Sequence, residues 1–391
     1  MKKLLVVPLA LIAMAAGAAT RLAQDQCGPF TDVTPALCPY VLEIFYLGIT
    51  AGTSATTFSP DNPVTRGQAA VFVSKAINQT LARSSRRAAL GQWWTTTPQY
   101  VNGLGTTSVG VQPLGVAWDG ADIWVGNAGD STVSRVRASD GKLLETWTTS
   151  DPGPHAVLAA LGRIFVLTGG LDGGKLFEID PSQPPGAATE VAAIGNAANT
   201  MAFDGTNIFV SNCGGIAHDV YLSIVTPGPT LPWSVTQVHN AAFSPCASLI
   251  FDGTNMWFVA GDALRLDASG NVLQTVPLSG GDSFGAFDGA NLWLAGVSVM
   301  DVVRASTGAI VATLPANGLT TPRGVAFDGE RILVTNYFGN SVSLWRAADL
   351  TPLGSFDTGD SSQPFGACSD GTNFWIALSG VGIGPGRLAR F

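Results

Sequence analysis

Charge is scarce in this chain, and positive charge is the scarcer sign. Charged residues are 12% of the 391, and 20 Lys and Arg stand against 28 Asp and Glu, a formal charge of −8. Nucleic acid needs a basic footprint to meet its phosphates, so this balance argues against it as a partner. Histidine is rarer still: there are 3, His155, His218 and His239, and none belongs to a spaced metal-ligand motif. No Ser/His/Asp elbow, phosphate-cradling glycine loop or zinc-type cysteine cluster occurs. Accordingly no catalytic residue, no metal and no cofactor is expected. Long apolar runs are missing too. The run from Leu4 to about Ala16 falls short of the roughly 20 residues needed to cross a bilayer, and nothing later approaches that length. With Lys2 and Lys3 before it and small residues around Ala18 and Ala19, it reads as a secretory signal peptide over residues 1–19, with no cysteine at the cleavage site to carry a lipid. A secreted protein with no transmembrane segment after cleavage is expected.

What the chain has in quantity is glycine (47) and proline (23), the profile of many short strands joined by turns. "AFDGTNIFVSN" at 202 returns as "IFDGTNMWFVAG" at 250, "AFDGANLWLAG" at 286 and "AFDGERILVTN" at 326. Aligned on the Asp-Gly step, the units fall at Asp119, Leu161, Asp204, Asp252, Asp288, Asp328 and Asp370, spaced 36 to 48 residues apart. A period of that size indicates a propeller, solenoid or array. Each unit holds a small-residue strand, the Asp-Gly turn, a dense apolar strand, a polar loop, then two further strands with no helix between. Four antiparallel strands per unit make a propeller blade. The Asp-Gly step is expected to form a tight hairpin through positive φ angles. The series Trp124, Phe165, Phe209, Trp257, Trp293 and Trp375 repeats at one register, which suits packing between blades better than a ligand cage.

The last unit ends at its third strand, "GRLARF", leaving an edge that a segment from before the first blade must cover. "LGQWWTTT" at 90–97 aligns with a fourth strand and is the natural donor; "LGTTSVG" at 104–110 competes with it. Either gives a mainly β protein: a seven-bladed propeller over residues 89–391, preceded by a small helix-loop-helix module over 27–88. In that module Leu37, Val41, Leu42, Ile44, Phe45 and Leu47 recur at helical spacing, and Thr65 with Gln68 forms a capping box before a second apolar helix. Two short helices bury little alone, so a partner surface is expected.

"FTDV", "LGITAG" and "FSPDNPVTRGQAAVF" stand in the order and spacing of the S-layer homology module, and the chain resembles that family over about fifty residues. The resemblance implies docking on cell-envelope polysaccharide, with Arg66 meeting an anionic sugar substituent and Asp32 matching the opening motif. Gln68 replaces the usual Glu, one copy stands where three are common, and Cys38, Pro39 and Tyr40 fill a place where Trp is frequent. Arg66 has a physical argument of its own: a cation in a first helical turn opposes the macrodipole, so it either answers an anion or is simply solvated. "ILVTNYFGNSVSLWRAADLTPLGSF" likewise looks like the YVTN-type repeat, and the repeat region is similar to propellers of the streptogramin-lyase and lactonase-like superfamily, a fold that hosts enzymes and binding modules alike.

With Asp-Gly turns at one end, ligands are expected at the other, around the channel mouth. Asn127, His155, Asn199, Asn212, Arg323 and Asn336 are the candidate face, with His218 and Asp219 beside them. Disulfides are expected for Cys27 with Cys38 and for Cys213 with Cys246, and Cys368 is left over as a small apolar residue of the channel wall. The expected function is an exported envelope protein, non-enzymatic, whose propeller presents a face to a protein or small ligand; the alternative is a secreted lyase or lactonase-like enzyme centred on the channel mouth.

Overall fold

The computed structural model describes residues 27, 29–34, 36–46, 49–83, 99–101, 104–170, 173–213, 219–244, 248–282, 284–315, 317–380 and 386–391. The chain divides into two compact units, Met1–Ala82 and Arg83–Phe391.

Among the described residues the first unit holds two helices, Cys38–Tyr46 and Arg66–Arg83. A disulfide joins Cys27 to Cys38 across a Cα separation of 5.4 Å. Around it Phe30 and Val41 are buried, and Phe30 meets Phe45 and Phe58 edge-on at 5.2 and 5.7 Å. So small a core relies on its covalent cross-link. The second helix begins as the capping box requires. The Thr65 hydroxyl accepts the Gln68 N–H at 3.2 Å while the Gln68 side-chain oxygen accepts the Thr65 N–H at 2.9 Å. Its apolar residues Val71, Phe72 and Val73 are exposed.

The second unit is a seven-bladed propeller of antiparallel sheets. Blade 1 runs Pro113–Trp118, Asp122–Asn127, Thr132–Arg137 and Leu143–Thr148, and blades 2, 3, 5 and 6 repeat that four-strand order. Blade 4 differs from the expected four separate strands. One element, Met256–Leu266, pairs through its first part with Ser248–Phe251 and, beyond Gly261, with Val272–Asp282. Blade 7 comprises Pro364–Ser369, Phe374–Leu378 and Arg387–Arg390, and Leu104–Ser108 pairs antiparallel with the last of these. The segment at 104–110 therefore supplies the closing strand, with Gln99–Val101 outside it; the favoured donor at 90–97 lies outside the described residues. First strands of neighbouring blades touch all the way round, including Pro364–Ser369 against Pro113–Trp118, so the ring is complete.

Seven apolar clusters fill the seams. Trp124 packs with Ile164 and Phe177 of the next blade, Phe209 with Phe258, Trp293 with Ile332, and Trp375 with Ile123. Trp124, Trp257, Trp293 and Trp375 are wholly buried, each contributing about 2–3 kcal/mol of hydrophobic stabilisation.

The repeated Asp-Gly step is not the two-residue hairpin expected. Only its glycine takes positive φ, 104° at Gly120 and 97° at Gly289. The aspartate closes a wider turn: one Asp288 oxygen accepts the N–H groups of Ala290 and Asn291 at 2.8 and 2.6 Å, the other the Trp293 indole N–H at 2.7 Å. Asp119, Asp252 and Asp370 grip Trp124, Trp257 and Trp375 in the same way. Burial pushes the Asp288 carboxyl up, but these donors together hold it below its ordinary range. In three of these blades an arginine of the third strand caps the indole: Arg135, Arg265 and Arg390 lie 5.2, 6.0 and 5.9 Å from Trp124, Trp257 and Trp375.

Blade 6 has Leu333 at the tryptophan position. There Asp328 instead accepts the Arg331 Nε–H at 2.7 Å, both side chains are buried, and the guanidinium lies 5.0 Å from the Phe374 ring. Removing one partner strands the other's charge in the seam. Asp328→Ala is expected to lower unfolding free energy by about 3–5 kcal/mol in a denaturant titration; a loss below about 1 kcal/mol, the range of an exposed pair, would refute this role.

Candidate functional site

In the first unit Arg66 is the first residue of its helix, exposed, and in no ion pair with a described residue. The capping box orders that turn, and Arg66 enters the helix at the end whose free amides favour an anion. Asp32 does different work. Its two carboxylate oxygens accept the N–H groups of Phe58 and Ser59 at 2.8 and 2.7 Å. The Phe58 amide first, then that of Ser59, holds this carboxyl below its ordinary range. Asp32 thus ties the opening motif to the loop that leads into Arg66's helix, and this explains its place in the pattern without direct contact to a ligand.

The propeller face needs correcting. Asn127, Asn212 and Asn336 end the second strands of blades 1, 3 and 6 and are 0–1% exposed. The Asn336 Nδ2 donates to Ser341 and Ser343 Oγ at 3.0 and 2.9 Å while its Oδ1 accepts the Thr320 N–H at 3.2 Å. Asn127 donates in the same way to Thr132 and Ser134, both at 3.0 Å, and Asn212 to Ser223 at 3.0 Å. All three staple the second strand to the third and are out of a ligand's reach. A strand-ending Asn with a Ser two residues past its paired position on the third strand, Ser134, Ser223 or Ser343, was the signal for this in the sequence.

The remaining candidates sit at separate places round the ring. His155, on blade 2, is half-buried with Nδ1 3.0 Å from the Gly153 carbonyl oxygen. Asn199, on blade 3, is half-buried and hydrogen-bonded or otherwise engaged. His218 lies outside the described residues, and Asp219 meets His239 Nδ1 at 3.1 Å. Among the described residues no three His, Cys, Asp or Glu side chains converge as a metal ligand set would.

Arg323 is the candidate with the most developed surroundings. The first strand of blade 6, Pro322–Phe327, is bulged between Pro322 and Gly324, and the first strand of blade 7 is bulged between Pro364 and Ala367. Bulges re-aim side chains at rims. They bring Arg323 to 5.8 Å from the Phe365 ring, with Tyr337 at 5.7 Å and Phe284 of blade 5 at 5.9 Å. The strands come this close because Gly324 has no side chain; a Cβ there would lie 2.6 Å from the Phe365 carbonyl oxygen.

A second concavity lies at the other end, where the sequence reading expected only turns. It is a cleft of 520 Å³ between blades 4 and 5, lined by Asp252, Thr254, Asn255, Arg265, Phe287 and Arg304. Arg304 ends a third strand, a position where arginine recurs as "VRA" and "WRA", and that repetition was the available signal there; Arg265 instead lies over Trp257.

Cys213 is disulfide-bonded, while Cys246, its expected partner, lies outside the described residues. Cys368 is free, half-buried on the first strand of blade 7, and burial pushes its thiol well up.

Residues 29–70 match the family model of the S-layer homology domain. Such domains bind envelope polysaccharide, and the match indicates association with a bacterial cell envelope. A search among curated proteins finds no match. The propeller is similar to solved structures at low sequence identity. A streptogramin B lyase is 15% identical, covering 73% of this chain and 96% of its own at a TM-score of 0.59. A catalytically inactive virginiamycin B lyase from Staphylococcus aureus with quinupristin is 14% identical, covering 74% and 99% at 0.60. The WD40 propeller domain of Doa1 is 11% identical, covering 74% and 97% at 0.57. At such identities the likeness is one of fold, shared by lyases and a WD40 domain alike.

Two outcomes follow for the corrected residues. Asn336→Ala should cost about 1–3 kcal/mol of stability, the penalty for leaving buried partners unsatisfied, read as a lower denaturation midpoint; an unchanged midpoint would contradict the staple. Peptide mapping without reduction should recover Cys213 linked to Cys246, and Cys246 alkylated as a free thiol would reject the pairing.

Proposed function

We propose that this is an exported envelope protein in which the S-layer homology module docks on a cell-envelope polysaccharide and the propeller presents a binding face at its channel mouth. The observation that carries the docking half is Arg66. It stands exposed at the head of a capped helix, unpaired with any described acid, inside the segment that matches the S-layer homology domain. Its charge opposes the helix dipole unless an anion joins it, so an anionic sugar substituent supplies the missing partner. Asp32 positions the loop before that helix. The disulfide between Cys27 and Cys38 suits an oxidising compartment outside the cytoplasm.

The propeller half rests on Arg323 and its aromatic neighbours. The fold is shared with lyases, yet His155, Asn199 and Arg323 stand on separate blades, and no acid–base pair has been brought together among them. A display surface therefore fits the described residues better than a catalytic centre.

The intact chain, mixed with purified envelope polysaccharide, should co-sediment. Arg66→Ala should lower the bound fraction by about tenfold, as loss of a charge-assisted contact does, and Arg66→Lys should retain part of it. Equal sedimentation of wild type and Arg66→Ala would rule out the assigned role.

A further inference from the structure

We infer that Arg323 and the rings around it form a binding site for a small ring-bearing carboxylate, a reading that rests on the propeller face proposed above and names the ligand class it takes. Three blades build the site. Phe284 comes from blade 5, Arg323 and Tyr337 from blade 6, and Phe365 from blade 7, with all three ring centroids 5.7–5.9 Å from the guanidinium carbon. The rings hold the arginine in place and are themselves held. Tyr337 and Phe365 meet edge-on at 5.9 Å, the Tyr337 hydroxyl donates to the Gln363 side-chain oxygen at 3.2 Å, and the Tyr337 N–H donates to the Thr321 carbonyl at 3.1 Å. An arginine side chain is costly in entropy to immobilise, and here that cost is met before any ligand arrives.

The guanidinium is held but not used. Its Nε is buried without a hydrogen-bond partner, and Arg323 takes part in no ion pair with a described residue. Two other arginines of this propeller that lie over aromatic rings are also paired with acids, Arg135 with Asp122 at 2.7 Å and Glu145 at 3.0 Å and Arg331 with Asp328 at 2.7 Å, while Arg265 and Arg390 each lie over a single indole. Aromatic contact is thus accompanied by an acid in blades 1 and 6, whereas the channel-mouth arginine has the rings alone. Arg323 is half-buried with its Nε covered, so a planar two-oxygen acceptor would be met by the two terminal amino groups of the fork.

Charge selects the acceptor further. One guanidinium is the cation of this cluster, which suits a monoanionic carboxylate better than a doubly charged phosphate. The body of the ligand is read from Phe338. This ring is 66% exposed, unusual for so large an apolar side chain, and it stands edge-on to Tyr337 at 4.9 Å. An exposed ring beside a held guanidinium offers a stacking platform for an aromatic acid or for the apolar face of a sugar acid. The two sources share one chemistry, a ring bearing a carboxylate.

The test uses the intact protein and two probes, benzoate and glucuronate, with benzyl alcohol and glucose as their uncharged counterparts, followed by saturation-transfer NMR and titration calorimetry. At least one of the two acids should bind, its uncharged counterpart should bind about tenfold more weakly or not at all, and Arg323→Gln should weaken the acid about tenfold. Phe338→Ala, which alters an exposed side chain, should weaken the same acid at least about threefold with an unchanged melting temperature. That variant keeps the test valid should Arg323→Gln prove unstable. Acid binding that is equal in wild type and Arg323→Gln, or matched by the uncharged counterpart, would overturn the site while leaving a propeller binding face standing. Failure of both acids to bind at millimolar concentration would overturn the ligand class itself. Neither result touches the docking of the S-layer homology module, which sedimentation reads separately.

Discussion

Closure of the ring is the constraint on which the rest of the second unit depends. Each blade carries an almost uninterrupted apolar second strand, Ile123 to Val125 or Leu292 to Leu294, buried on both faces. A strand of that kind is stable only with a neighbour on either side. The seven seams supply those neighbours in a cycle, and the cycle has a chemical gap where the chain's end meets its beginning. Leu104–Ser108 fills it by pairing with Arg387–Arg390. The same contact keeps the Arg387–Arg390 strand of blade 7 from presenting a bare edge beside the buried seam between blades 7 and 1.

Within blades 1, 4, 5 and 7 the recurring aspartate does more than turn the chain. Its carboxylate gathers two backbone amides and an indole N–H, so the turn, the strand after it and the large ring in the seam are fixed together. Blade 6 reaches the same end by different means, with a buried arginine in place of the indole. The repeat survives this exchange because the carboxylate needs a donor at that distance, and a guanidinium is as good a donor as an indole. Phe209 in blade 3 can offer neither, and there the turn relies on the amide bonds from Thr206 and Asn207 to Asp204.

The two units assign their arginines differently. Arg135, Arg163, Arg265, Arg331, Arg346 and Arg390 of the propeller are tied to acids, to indoles or to both, as expected of costly charges placed on apolar seams. Arg66 and Arg323 stand apart: one exposed on a capped helix, the other caged by rings. Both are positioned by local structure and left with donors to spare, and the function proposed for each unit follows from that surplus.

The repeat period, the small-then-apolar strand pair and the early stop at "GRLARF" together were enough to read seven blades and the need for a closing segment, because periodicity and burial on both faces are one-dimensional properties. The capping box was legible for the same reason, its partners being three residues apart. Which segment closed the ring was not, since 90–97 and 104–110 both read as strands and only pairing geometry chooses between them. Nor were the asparagines at 127, 212 and 336: polar residues at a strand's end look exposed until the third strand's serines fold over them. Arg323 was read as part of the candidate face, but that it meets Phe365, with Phe284 from a third blade, depended on bulges and a close glycine approach. Sequence determines what repeats along the chain; contacts between blades some forty residues apart depend on distances that only the folded ring brings about.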